Sequence, residues 1–84
     1  MQLVFSVHAW EEYLHWLRTD PALAQRINLL FAAARRSPAE GLGKPEPLKH
    51  TLQGYWSRRI DGQHRMLYRV VNDQIWIVQL RYHY

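Results

Sequence analysis

Apolar residues follow two different periods along this chain, and the change from one to the other comes near Ser37. In the first stretch the spacing is helical: Trp10, Tyr13, Leu14 and Leu17 fall at i, i+3, i+4 and i+7, which predicts a helix with one stripe turned to a core. The preceding "QLVFS", Gln2 to Ser6, reads as a short strand, with Ser6 placed to cap that helix. "TDP" then restarts the chain, since Asp20 is a good N-cap and Pro21 is tolerated at the first helical position, where its missing N–H costs nothing. Leu23, Ile27, Leu30, Phe31 and Ala34 give the second helix its apolar face. Arg35 and Arg36 suit the negative end of its dipole, and Pro38 helps to stop it. Helices joined this tightly should form a hairpin.

Ser37 to Pro47, "SPAEGLGKPEP", holds three of the four prolines and two of the four glycines, so it reads as an ordered but irregular loop. Beyond it lie four strand-like runs, Leu48 to Leu52, Tyr55 to Ile60, His64 to Val71 and Gln74 to about His83. Asp61-Gly62 and Asn72-Asp73 fall where hairpin turns are needed, and both dipeptides suit positive φ, so the pairing should be antiparallel. The expected fold is α+β: an N-terminal strand and a two-helix hairpin packed on a twisted, mainly antiparallel sheet, in one domain covering 1–84. Eighty-four residues hold one modest core.

Side chains alternate faces along a strand, so numbering parity becomes chemistry. Lys49, Arg59, Arg65, Arg69, Arg81 and His83 are odd, while Leu48, Leu52, Trp56, Ile60, Met66, Tyr68, Val70, Trp76, Val78, Leu80 and Tyr82 are even. One face should pack on the helices and the other gather the cations, provided no bulge shifts the register. Leu67, Val71, Ile75 and Ile77 dilute the cationic face, and His50, Arg58 and His64 fall on the even side. The bland alternative is an ordinary solvated face, but such a face should mix its charges, and the odd cations have no acid among them. A phosphate backbone would use them.

Charge along the chain supports this. Residues 1–34 carry a net −1, whereas residues 35–84 set nine Lys or Arg against four acids for a net +5. A basic, aromatic-rich second half favours a polyanionic partner, RNA or DNA foremost. Cysteine is absent, which fits a reducing cytoplasm and excludes thiol catalysis and cysteine-ligated metal. The N-terminus reads as neither signal peptide nor membrane span, so a cytoplasmic protein is expected.

Cutting RNA without a metal or cofactor requires a base for the 2′-OH proton, a cation for charge on the phosphorane and an acid for the 5′-oxygen. Glu46, between two prolines in "KPEPLKH", is a candidate base, Arg65 a candidate phosphate clamp and His83 a candidate acid. Each has a plainer reading as a solvated loop residue, a surface cation or an exposed chain end. A metal site built from Glu46, His50, His64 and His83 lacks the tight ligand spacing of metal motifs. Ser6, Ser37 and Ser57 lie outside any elbow-like glycine context, and there is no Gly-rich phosphate loop.

Four motifs in order, "EGLGKPEPLKH" at 40–50, "LQGYWSRRI" at 52–60, "HRMLY" at 64–68 and "RYHY" at 81–84, resemble those of the YoeB (Txe) toxins of the RelE superfamily. The likeness runs essentially end to end and is looser in the helical half. It implies a toxin of a type II toxin-antitoxin system that cuts mRNA in the ribosomal A site. By that resemblance Glu46 is the general base, Arg65 the phosphate-stabilising cation and His83 the general acid. Tyr84 orients the mRNA, and Lys49 and Arg59 contact the substrate. The implied partners are a YefM-like antitoxin, the ribosome and mRNA, a second copy of the chain, and operator DNA for the toxin-antitoxin complex. Departures are few: Phe5 where tryptophan is common, Gly62-Gln63 before His64, and the added cation Arg69. A second class of function is a ParE-like toxin that blocks its target by binding alone.

Overall fold

The computed structural model describes residues 1–82, and the hairpin of helices forms as its caps predict. Helix α1 runs Val7–Thr19 and α2 Pro21–Arg36. Ser6 Oγ accepts from the Ala9 N–H at 3.0 Å, and Asp20 Oδ1 accepts from the Leu23 N–H at 3.2 Å. Both caps relieve amide groups that have no partner inside a first turn.

The inward face of α2 is the predicted one, since Leu23, Ile27, Leu30, Phe31 and Ala34 are all buried. That of α1 is displaced. Ala9 and Trp16 are buried and Tyr13 packs on the core, whereas Trp10 and Leu17 are 46% and 45% exposed. Two adjacent rows of apolar residues compete for the core on this helix. The winning row contains the small Ala9, which lets the backbone approach, and Trp16, whose Nε1–H donates to the Leu80 carbonyl at 2.9 Å.

The sheet contains β1 (Gln2–Phe5), β2 (Glu46–Pro47), β3 (Tyr55–Arg59), β4 (Arg65–Val71) and β5 (Gln74–Gln79), in the order β1-β5-β4-β3-β2. β1 lies parallel to β5, and every other pair is antiparallel. Both helices cover one face, where Ile60, Met66, Tyr68, Ile75, Ile77 and Leu80 meet them.

Three further expectations need correction at this level. Leu48 to Leu52 is not a strand: after Leu48 N–H donates to the Tyr55 carbonyl at 2.9 Å, the chain turns through a 3₁₀ segment, His50–Leu52, to Gly54 at φ 95°. The paired residues lie just upstream, where Pro47 holds Glu46 extended. Secondly, the turn at Asp61-Gly62 has no positive φ; Asp61 Oδ1 makes it by accepting from the Gln63 and His64 N–H groups at 2.8 and 2.7 Å. Asn72, by contrast, takes φ 55° as predicted.

The third concerns parity. On β3 and β4 the alternation holds only in part: Arg58, Met66 and Tyr68 are inward and Arg59 and Arg69 exposed, but Val70, at a core-parity position, is 37% exposed, and Ser57 and Leu67, on the other face, are buried. On β5 it inverts, because Ile75 and Ile77 are fully buried while Trp76 is 38% exposed. Tyr68 pairs with Ile77 but its neighbour Leu67 pairs with Gln79, so Val78 is an extra residue in the ladder. This bulge restores even parity in time for Leu80 to be buried.

Candidate functional site

The open face of the sheet carries the site, and the ladder fixes which side chains meet there. Directly opposed residues on paired strands project from the same face. Glu46 is opposite Ser57, Ser57 opposite Leu67, and Leu67 opposite Gln79, so these four form one row across β2, β3, β4 and β5. Arg65 Nη1–H donates to Ser57 Oγ at 3.2 Å, which ties the guanidinium to the row that carries the Glu46 carboxylate. Glu46, Ser57 and Arg65 are thereby gathered on one surface.

Cations surround them. Arg59 stands directly opposite Arg65, an arrangement that costs stability when nothing anionic intervenes. Arg59 and Arg65 line a cleft of about 640 Å³ with Arg26, Lys44 and Asp61. The Asp61 carboxylate oxygen Oδ1 is already committed to its own turn. Glu46 and Lys49 line a second hollow of about 330 Å³ with His50. Among the described residues the one ion pair is His8 with Glu12, near the start of α1, so no carboxylate stands in ion-pair range of a cation on the open face. No group of three His, Asp or Glu comes together among the described residues.

Sequence reasoning undervalued Arg58. Its guanidinium is fully buried, with Nε–H donating to Tyr68 Oη at 3.0 Å, Nη1 to the Leu42 carbonyl at 2.7 Å, and Nη2 to the Ser37 and Glu40 carbonyls at 2.6 and 2.9 Å. Tyr68 Oη in turn donates to the Pro38 carbonyl at 2.6 Å. Burial pushes the Tyr68 phenol above its ordinary value of 10.0, and the hydrogen bond and charge of Arg58 pull it partly back. This network shapes the loop that delivers Glu46. Gly43, at φ 87°, completes it: a Cβ there would lie 2.7 Å from Leu30 Cδ2, and its carbonyl accepts from the Arg59 N–H at 2.7 Å. An arginine at a core-parity position was the signal for Arg58. Ser57 offered none beyond sharing parity with Arg59.

The last stretch of chain is held by bonds other than the predicted continuous strand, which ends at Gln79. Leu80 N–H donates to Glu12 Oε1 at 2.8 Å. Tyr82 N–H donates to His64 Nδ1 at 2.8 Å, and the Tyr82 carbonyl accepts from the Arg65 N–H at 3.1 Å. The chain is therefore pinned beside Arg65 as far as Tyr82. His83 and Tyr84 lie outside the described residues.

Among solved structures the fold matches the YoeB/ParE toxin from Agrobacterium tumefaciens with a TM-score of 0.97 at 46% identity, over 100% of both chains. It also matches a heterotetrameric YoeB-YefM toxin-antitoxin complex from Staphylococcus aureus, with a TM-score of 0.92 at 40% identity over 100% of this chain and 98% of that one. By sequence it is 54% identical to the toxin YoeB of Streptomyces coelicolor over 100% of each chain. Residues 5–84 match the family described as the YoeB-like toxin of bacterial type II toxin-antitoxin systems. The chain belongs to that family.

Proposed function

We infer that this toxin is an endoribonuclease that cuts mRNA in the ribosomal A site by general acid-base chemistry without a metal or cofactor. The observation that supports the reading is that Glu46 is paired opposite Ser57, to which Arg65 is hydrogen-bonded, on a face where no cation is in an ion pair among the described residues. Glu46 takes the 2′-OH proton, the 2′-oxygen attacks phosphorus, and Arg65 Nη–H groups stabilise the charge that builds on the phosphoryl oxygens. His83 protonates the 5′-oxygen as its bond to phosphorus breaks, leaving a 2′,3′-cyclic phosphate and a 5′-hydroxyl. Tyr84 orients the nucleotide, and Lys49 and Arg59 hold flanking phosphates. The covalent neighbour of His83 is Tyr82, whose carbonyl accepts from the Arg65 N–H; this attachment supports the assignment.

The toxin works in the cytoplasm, where ribosomes are. A YefM-like antitoxin as partner is supported by the S. aureus relative's complex with YefM, and a second copy of the chain by the YoeB dimer of the same organism. Val7, Trp10, Leu17 and Leu29, all large and exposed, offer apolar area to a protein partner. Operator DNA is the target of the toxin-antitoxin complex.

Mapping of message ends in a cell-free translation reaction tests the reading. New ends that depend on ribosomes, carry a 2′,3′-cyclic phosphate and fall sharply with Arg65→Ala support it. Stalled translation on intact message would instead make the protein a binder that blocks its target.

A further inference from the structure

His64 is 6% exposed and lies between two rings, the Trp16 indole with its centroid at 4.8 Å and the Tyr82 phenol at 5.4 Å. Its main chain is fixed by Asp61, whose Oδ1 accepts from the His64 N–H at 2.7 Å. The imidazole Nδ1 accepts from the Tyr82 backbone N–H at 2.8 Å. An imidazolium carries hydrogen on both nitrogens and cannot accept, so this bond exists only for the neutral ring with its proton on Nε2. One residue on, the Arg65 N–H donates to the Tyr82 carbonyl at 3.1 Å. Tyr82 is thus gripped at both backbone groups by two consecutive residues, the second of which carries the guanidinium of the site. It is held at φ 61°, a left-handed conformation that an L residue adopts only when contacts keep it there.

We propose that His64 is a positioning residue: its neutral imidazole fixes Tyr82, and with it the point from which the last two residues leave, beside Arg65; protonating the ring releases that hold. The hold stands on the geometry alone, and its effect on cleavage rests on the ribonuclease reading above. The charged and titratable groups around the ring come from every element packed on it. Asp61 and Arg65 flank it on its own segment, and the nearest titratable groups of α1 are reached through its neighbours: His15, edge-to-face with Trp16 at 4.9 Å, and Glu12, which accepts from the Leu80 N–H. The C-terminal segment supplies Tyr82 itself and Arg81, whose guanidinium lies 4.8 Å from the Tyr82 ring centroid and 5.8 Å from the Trp16 centroid.

The test follows the Tyr82 amide and the His64 ring nitrogens by NMR in the whole chain as pH falls. In the native protein the ring should show an unprotonated Nδ1 and a protonated Nε2. The protection factor of the Tyr82 amide should fall in step with the ring's own titration. His64→Phe keeps a ring between Trp16 and Tyr82 but has no acceptor, so Tyr82 protection and message cleavage should each drop about tenfold, the value of one hydrogen bond near the upper end of its usual range. His64→Asn places an amide oxygen near the position of Nδ1 and does not titrate; it should keep protection and cleavage, and its Tyr82 protection should no longer respond to acid. Tyr82 protection that ignores the native ring's titration, or that survives in His64→Phe, would overturn the proposal. Should neither variant fold, the native titration decides by itself. A chain whose Tyr82 protection tracks His64 but which cuts no message would leave the hold standing and remove the ribonuclease reading.

Discussion

Arg58 and Arg59 are adjacent in β3 and face opposite ways, and the two sides of the sheet treat a cation differently. On the helix side, Arg58 is fully buried and gives its hydrogens to three main-chain carbonyls and a phenol. On the open side, Arg59 is exposed opposite Arg65, with no carboxylate in ion-pair range among the described residues. A buried guanidinium is tolerable only when its donors are satisfied, and one so satisfied has nothing left for a ligand. An exposed cation opposite another cation is in the reverse condition: it costs a little in the free protein and gains when an anion arrives. The first arrangement shapes the loop before Glu46, and the second is suited to the phosphate that Glu46 would act beside.

The sharpest way to break this contrast is Arg58→Met, which strips the Ser37, Glu40 and Leu42 carbonyls and the Tyr68 hydroxyl of their partner. Urea unfolding should show a loss of about 3–5 kcal/mol, the scale for several buried groups left unpaired. A loss comparable to an ordinary surface substitution would mean the loop is held by something else. On the other face, Arg65→Ala should lower message cleavage about 10²–10³-fold, the usual effect of removing one donor to developing charge, while stability falls by about 1 kcal/mol, the scale of the one hydrogen bond lost to the buried Ser57 hydroxyl. A variant that unfolds instead would place Arg65 in the structural class with Arg58. Arg59→Ala and Lys49→Ala should keep the fold and weaken binding of an RNA oligonucleotide, each lowering the slope of log affinity against log salt by about one. An unchanged slope would show that the cation does not touch phosphate. The smallest effect is alkaline. Because burial raises the Tyr68 phenol, its contribution to stability is complete below the ordinary value of 10.0 and is lost as pH climbs from there through the higher folded value. Tyr68→Phe should flatten that part of the stability profile.

Much of this architecture was legible in the chain because it is governed by local rules. The caps at Ser6 and Asp20, the proline at the start of α2 and the inward face of α2 each depend on a few neighbouring residues, and each formed as expected. What escaped depends on partners distant in sequence. The inward row of α1 was decided by the bond from Trp16 to Leu80, and the inversion on β5 by an extra residue opposite the Leu67–Tyr68 step. No periodicity in a single strand announces either. For the site, residue types and motif order pointed to Glu46, Arg65, Lys49 and Arg59. The link between the first two runs through Ser57, a residue whose importance arises only from the pairing of β2 with β3. Arg58 and His64 were visible as polar residues at inward positions, and only the three-dimensional contacts show what each one holds.

The central claim is that carboxylate and guanidinium are brought together on the open face to drive a 2′-oxygen into its neighbouring phosphodiester. Its most direct test is a message carrying a single 2′-deoxynucleotide on the 5′ side of a mapped cut, translated with the native toxin. The account predicts that cutting disappears at that bond while neighbouring sites are still cut to 2′,3′-cyclic phosphate ends. Undiminished cutting at the deoxy position would contradict it.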